Sequence, residues 1–199
     1  MKTTCIALLL SVGLVVSAGA AEDEWQPLLS GNDLSGWSTK PEMDHWSLED
    51  GVIVGANGSA KKGSVLWTDG EFGDFVFQTD FRFSGVVDSG ILVKGKYQVN
   101  IGISSSLRRD MTCSIYAPWD GRGKYPGQAD KVDELLKKDD WNSVQVEAAD
   151  KRIIVSLNGE QVVDYETKDL PANGPIGLQV HAGHDMKIEF RNPRIQARD

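Results

Sequence analysis

Short runs in which apolar and polar residues alternate, cut by Gly, Asn and Asp, dominate the chain after Glu22 and leave few folds open to it. Residues 75–83 set Phe75, Phe77, Phe81 and Phe83 on one side and Gln78, Asp80 and Arg82 on the other. Residues 46–54 read as a hairpin turning at Asp50-Gly51, and residues 91–94, 97–103 and 112–116 follow as strands. Residues 144–148 lead into 153–157, and Asn158-Gly159 then turns the chain back through 161–165. Asn-Gly between two apolar runs is a strong hairpin signal because both residues accept positive φ. Residues 176–181 and 186–190 complete about ten strands. Only residues 131–138, with Val132, Leu135 and Leu136 at helical spacing, predict a helix. The expected fold is all-β, a two-sheet sandwich or jelly roll with one short helix.

The first residues predict export. Lys2 precedes an apolar stretch over 5–16, and Ser17-Ala18-Gly19-Ala20-Ala21 supplies small residues before the polar sequence from Glu22. This is the pattern of a secretory signal peptide over 1–21, cleaved after Ala20 or Ala21. The apolar stretch is shorter than the roughly 20 residues that span a bilayer, so no stable membrane insertion is expected after cleavage. Residues 22–199 then form a single domain, periplasmic or extracellular. Cys113 is its only cysteine, which precludes an intrachain disulfide and leaves stability to a packed core. The formal charge of −8 becomes one unit more negative when Lys2 is lost, which argues against nucleic acid as a partner.

Alternation also assigns faces. Val99 and Ile101 share one side of their strand with Tyr97, while Gln98 and Asn100 share the other. Leu178 and Val180 oppose Gln179 and His181, Ser114 and Tyr116 oppose Cys113 and Ile115, and Lys94 opposes Val93. Five segments therefore offer a polar face bearing Asp80, Arg82, Lys94, Gln98, Asn100, Ser114, Tyr116, Gln179 and His181. These are mostly amides, hydroxyls and single charges, and antiparallel sheets often solvate such a face without further purpose. Together with aromatic rings they also suit a sugar, which presents hydroxyls at its edges and C–H groups on its faces. Six tryptophans are available as platforms: Trp25, Trp37, Trp46, Trp67, Trp119 and Trp141.

Several stretches, in order and over essentially the whole chain after residue 22, carry a family resemblance. They are LLSGNDLSGW, WSLEDGVIVG, EFGDFVFQTDFRF, DSGILVKGKYQVNIG, Asp140-Trp141-Asn142, LNGEQVVDY, GPIGLQVH and EFRNPRI. The sequence resembles the 3-keto-disaccharide hydrolase family, also described as 3-keto-glucoside 1,2-lyases and 3-keto-2-hydroxyglucal hydratases. The resemblance implies a concanavalin-like jelly roll that cleaves di- or oligosaccharides or glycosides whose C3 hydroxyl is already oxidised to a ketone. Two stretches depart from the pattern, at Asp88 and at Gln98 and Asn100. The family often has Asn-Ser-Gly where this chain has Asp88-Ser89-Gly90, and Tyr-Glu-Val-Gln where it has Tyr97-Gln98-Val99-Asn100. Gln98 thus removes one proton carrier. Ordinary glycosidases need two carboxyl groups, and this strand supplies none.

A C3 ketone acidifies the C2 hydrogen, so a base can remove it and the C1 oxygen can leave. His181 is the expected base or acid, because histidine is the side chain that exchanges a proton most readily near neutral pH. Lys94 or Arg82 is expected to stabilise the enolate, and Tyr116 to donate or shuttle a proton. Asp80, Arg82, Gln98, Asn100 and Gln179 are expected to bind substrate. No cofactor is required by the sequence. His181 and His184, three apart near a strand, fall on opposite faces and point only weakly to a divalent metal. The alternative is a non-catalytic carbohydrate-binding module, which Gln98 favours.

Overall fold

The strand Phe75–Phe83 buries Phe75, Phe77 and Phe81 completely or nearly so, and it forms the centre of one of two sheets. The structure is a computed structural model that describes residues 24–39 and 44–198; the expected signal peptide lies outside the described residues. In chain order the strands are β1 (Gln26–Pro27), β2 (Trp37–Thr39), β3 (Trp46–Glu49), β4 (Val52–Ala56), β5 (Ser64–Thr68) and β6 (Phe75–Phe83). They continue with β7 (Asp88–Val93), β8 (Tyr97–Ser104), β9 (Arg109–Asp110), β10 (Ile115–Tyr116) and β11 (Asn142–Ala149). The last four are β12 (Arg152–Leu157), β13 (Glu160–Glu166), β14 (Gly177–Val180) and β15 (Lys187–Ala197).

The first sheet runs β13-β12-β11-β6-β15-β4-β3, with β1 added to β15. The second runs β10-β8-β7-β14-β5-β2, with β9 added to β8. Every pair is antiparallel, and the chain crosses repeatedly between the sheets, the jelly-roll form of a β-sandwich. One core lies between them. Phe77, Phe81, Val146 and Phe190 from the first sheet meet Ile91, Val99, Ile101, Leu178 and Val180 from the second. Each such side chain contributes about 1.5–3 kcal/mol by leaving water, the main source of stability here. Cys113 joins this cluster, and burial pushes its thiol up to about 12, so it stays protonated and inert.

Both Asp50-Gly51 and Asn158-Gly159 turn with positive φ at each residue, as their hairpins require. Several local expectations change, and the strand expected over 186–190 runs on as Lys187–Ala197. The helix shrinks to Val132–Leu135, because Lys131 is left-handed (φ 55°) and Leu136 is extended (ψ 119°). Strand 112–116 shrinks to Ile115–Tyr116, because Cys113 takes φ 65° and Thr112 Oγ1 accepts the Gly102 N–H in place of a backbone carbonyl. Strand 91–94 begins earlier, at Asp88, and ends at Val93; Lys94 (φ 50°) already belongs to the turn into β8.

Candidate functional site

On β8 and β14, which flank β7, Gln98, Asn100 and Gln179 project away from the core. Gly90 of β7 is in register with both Asn100 and Gln179. A Cβ on Gly90 would lie 2.5 Å from Gln98 Nε2 and 2.7 Å from its Cγ, so the missing side chain is what lets Gln98 lie across the neighbouring strand. From there Gln98 Nε2 donates to Gln179 Oε1 (3.2 Å) and to the Ser89 carbonyl (3.3 Å). Asn100 Nδ2 donates to the Gly102 carbonyl (3.0 Å), and its Oδ1 accepts the Tyr125 hydroxyl (3.2 Å). The result is an amide floor held by its own hydrogen bonds.

Walls rise on two sides. Tyr116, in register with Gln98, packs on Tyr125 with ring centroids 5.3 Å apart. Burial raises the Tyr125 phenol above its ordinary range, a hydrogen bond with Ser104 partly opposes this, and the Asp88 charge adds to it; Tyr125 therefore remains a donor. Opposite stand Asp88, His181 and the Ser104–Ser106 loop, closing a space of about 210 Å³. That is below the roughly 300–1,000 Å³ of drug-sized sites and on the scale of one sugar ring.

Asp88 is the only carboxylate among the described residues lining this space. Its Oδ2 accepts the Ser105 hydroxyl (2.6 Å) and main-chain N–H (3.2 Å), and lies 3.9 Å from His181 Nδ1. His181 Nδ1 sits 2.7 Å from the Ala182 carbonyl oxygen. A carbonyl only accepts, so Nδ1 carries the hydrogen and the neutral ring keeps its lone pair on Nε2. The ring is half-exposed and reachable by a ligand. His184 bonds Ser105 Oγ through Nε2 (2.9 Å). Among the described residues no group of three or more His, Cys, Asp or Glu side chains is placed to hold a metal ion.

Of the residues expected from sequence, the structure thus brings Gln98, Asn100, Tyr116, Gln179 and His181 around one pocket. It separates the other three. Asp80 and Arg82 belong to β6 in the opposite sheet and point away from the pocket. There Asp80 Oδ2 accepts Arg191 Nε (3.0 Å) and Arg82 Nε donates to Glu189 Oε2 (2.7 Å). The Arg82 and Arg191 guanidiniums flank the Trp141 ring at 4.6 and 4.1 Å. Lys94 is buried, with Nζ 2.6 Å from Asp74 Oδ1. For Asp80 and Arg82 the physical reason is that alternation places a side chain on a side of its own sheet without saying which sheet that is; Lys94 escapes alternation altogether, because it stands in the left-handed turn after β7. Ser114 is buried too, its Oγ accepting the Ala129 N–H (3.0 Å). Asp88, Lys124 and Tyr125 were missed. Asp88 stands two residues before Gly90, so counting alternation backward through Asp88-Ser89-Gly90 would have put it on the polar face.

Fold and pocket define a jelly-roll β-sandwich with a small polar site on the outer face of one sheet. The chain belongs to the family described as the 3-keto-alpha-glucoside-1,2-lyase-like domain, whose model matches residues 24–196; it is a carbohydrate-related protein. Its backbone resembles a candidate glycosyl hydrolase of Parabacteroides distasonis ATCC 8503 with a TM-score of 0.64, at 24% identity over 88% of this chain and 100% of that one. The carbohydrate-binding module CBM66 of Bacillus subtilis matches with a TM-score of 0.54, at 14% identity over 81% of this chain and 96% of that one. The exoplasmic/lumenal domain of VIP36, in its Ca2+/Man3GlcNAc-bound form, matches with a TM-score of 0.61, at 12% identity over 82% and 85% of the two chains. At these identities the likeness is one of fold. No protein of curated function matches the sequence.

Proposed function

We propose that the pocket binds a 3-keto-glycoside and cleaves it by elimination, outside the cytoplasm. The observation that carries this reading is the meeting of one imidazole and one carboxylate, His181 and Asp88, beside an amide floor, in a member of this family. His181 Nε2 takes the C2 proton, and the C2–H electron pair becomes an enolate on the C3 oxygen. Lys124 and Tyr116, which both line the pocket, serve as donors to that oxygen and to the leaving group. Collapse of the enolate restores the C3 ketone, forms the C1–C2 double bond and breaks the C1–O bond, and the departing oxygen takes a proton. Water added across that double bond would make the net reaction a hydrolysis. Gln98, Asn100 and Gln179 bind and orient the ring hydroxyls. Asp88 holds its negative charge beside the imidazolium that forms.

A single carboxylate favours this route over ordinary glycoside hydrolysis, which needs two. A second reading, saccharide binding without chemistry, draws on the same amide floor and on Gln98 in place of an acid. Incubation of the purified protein with a 3-keto-glucoside and with its unoxidised parent separates the two. Elimination predicts loss of the oxidised sugar, appearance of an absorbing enone or its hydrate, and no attack on the parent. Affinity for both sugars with turnover of neither would establish the binding reading.

A further inference from the structure

Three large apolar side chains are exposed among the described residues, and Trp119 is the only aromatic one, with 47% of its surface accessible. It stands beside the pocket. Its ring meets that of Tyr116, a pocket wall, at 89° with centroids 6.5 Å apart, and meets Tyr97 at 5.7 Å. Lys124, another wall residue, accepts the Ala117 N–H through its carbonyl (2.9 Å) and so closes the loop that carries Trp119.

That loop is tied down more firmly than a surface turn requires. Pro118–Asp120 form one turn of 3-10 helix, closed by the Asp120 N–H on the Ala117 carbonyl (3.0 Å). The Asp120 side chain has no exposed surface. Its carboxylate receives Arg122 Nε, Arg122 Nη2 (2.8 Å) and the Tyr165 hydroxyl (2.8 Å), and Lys168 Nζ bonds its main-chain carbonyl. A tryptophan left half in water yet fixed in position loses little entropy when a ligand stacks on it.

The pocket's volume of about 210 Å³ fits one ring, so the second ring of a disaccharide must lie outside, over the rim. On the Tyr116 side that rim is Trp119. We propose that Trp119 is the platform for the leaving-group sugar, its ring meeting the C–H face of that pyranose, and that it makes the site selective for disaccharides over glycosides of small alcohols. This rests on the saccharide reading of the pocket.

The test compares kcat/KM for a 3-keto-glucobiose with that for the methyl 3-keto-glucoside of the same anomeric configuration, using both anomers. The proteins are wild type, Trp119→Leu and Trp119→Phe, each checked for folding by circular dichroism. Both replacements keep apolar bulk against Tyr97 and Tyr116. Trp119→Leu should lower the disaccharide-to-methyl ratio about tenfold, the worth of roughly 50 Å² of apolar contact, and Trp119→Phe should keep it within about threefold of wild type. A ratio unchanged within about twofold in folded Trp119→Leu overturns the platform, since that falls far below the contact's worth. If wild type turns over neither substrate, the elimination reading fails instead. The affinity ratio of the same two sugars, measured by calorimetry, then decides the platform by the same criteria.

Discussion

His181 donates its main-chain N–H to the carbonyl of Asp88 (3.1 Å) and holds its Nδ1 3.9 Å from the same residue's Oδ2. Strand pairing between β14 and β7 ends at this point, so the sheet itself sets the distance between imidazole and carboxylate. A base positioned by backbone needs little reorganisation before it acts.

Replacing His181 with Ala should lower turnover of a 3-keto-glucoside by about 10²- to 10⁴-fold, the usual contribution of a general base. Sugar affinity and the folded structure should survive, because the ring is half-exposed and its main-chain bond to Asp88 remains. Steady-state kinetics on the folded variant check this. A rate within about twofold of wild type would move the proton carrier to Tyr116 or Asp88.

Asp88→Asn keeps an acceptor for the Ser105 N–H and hydroxyl but removes the charge beside His181. Turnover should fall by at least about tenfold while affinity for the unoxidised sugar changes little, since the lost term is stabilisation of the imidazolium. Equal losses in kcat/KM and in affinity would show instead that Asp88 is a binding residue.

Gly90→Ala places a methyl group 2.5–2.8 Å from the Gln98 side chain, and the crowding includes Cγ as well as the amide. Gln98 must rotate away from β7. The expected result is a higher KM with a stability loss of about 1–3 kcal/mol, typical of overpacking. Urea denaturation alongside kinetics measures both, and an unchanged KM would show that Gln98 does not touch the sugar.

Asp120 supplies a pH test. Hydrogen bonds from Arg122 chiefly, and from Tyr165, hold its carboxyl far below the usual carboxylate range against the opposing effect of burial. A depressed folded value means the stabilisation is complete above the unfolded pKa, near 4, and is lost as pH falls toward the folded one. Asp120→Asn should therefore lower Tm by more than about 5 °C at pH 7, and the gap to wild type should close progressively below about pH 4. A gap that stays constant to pH 2 would show that the charge contributes nothing.

Much of the second sheet was legible before the structure. Gln98, Asn100 and Gln179 do lie on the pocket side of the sheet, opposite Val99, Ile101, Leu178 and Val180, because period-two alternation with one apolar face admits a single register; that loops then cover Gln98 and Asn100 almost completely was not legible. Asp88 escaped because the strand was begun at Ile91, where the apolar run starts, and a polar strand end carries little hydrophobic signal. Trp119 was one of six tryptophans with no local mark to distinguish it; its exposure follows from a turn anchored by Arg122, Tyr165 and Lys168.

Asp80, Arg82 and Lys94 mark the boundary between the two kinds of knowledge. The strand of Asp80 and Arg82 and their outward orientation followed from the sequence by itself, since these depend on backbone geometry and on which neighbours are apolar. That β6 lies in the opposite sheet from β8, and that Lys94 turns inward to Asp74, twenty residues away, was decided only by the tertiary structure. The packing of two sheets around one core is a contact between distant segments, and alternation within a segment carries no information about which distant segment it will meet.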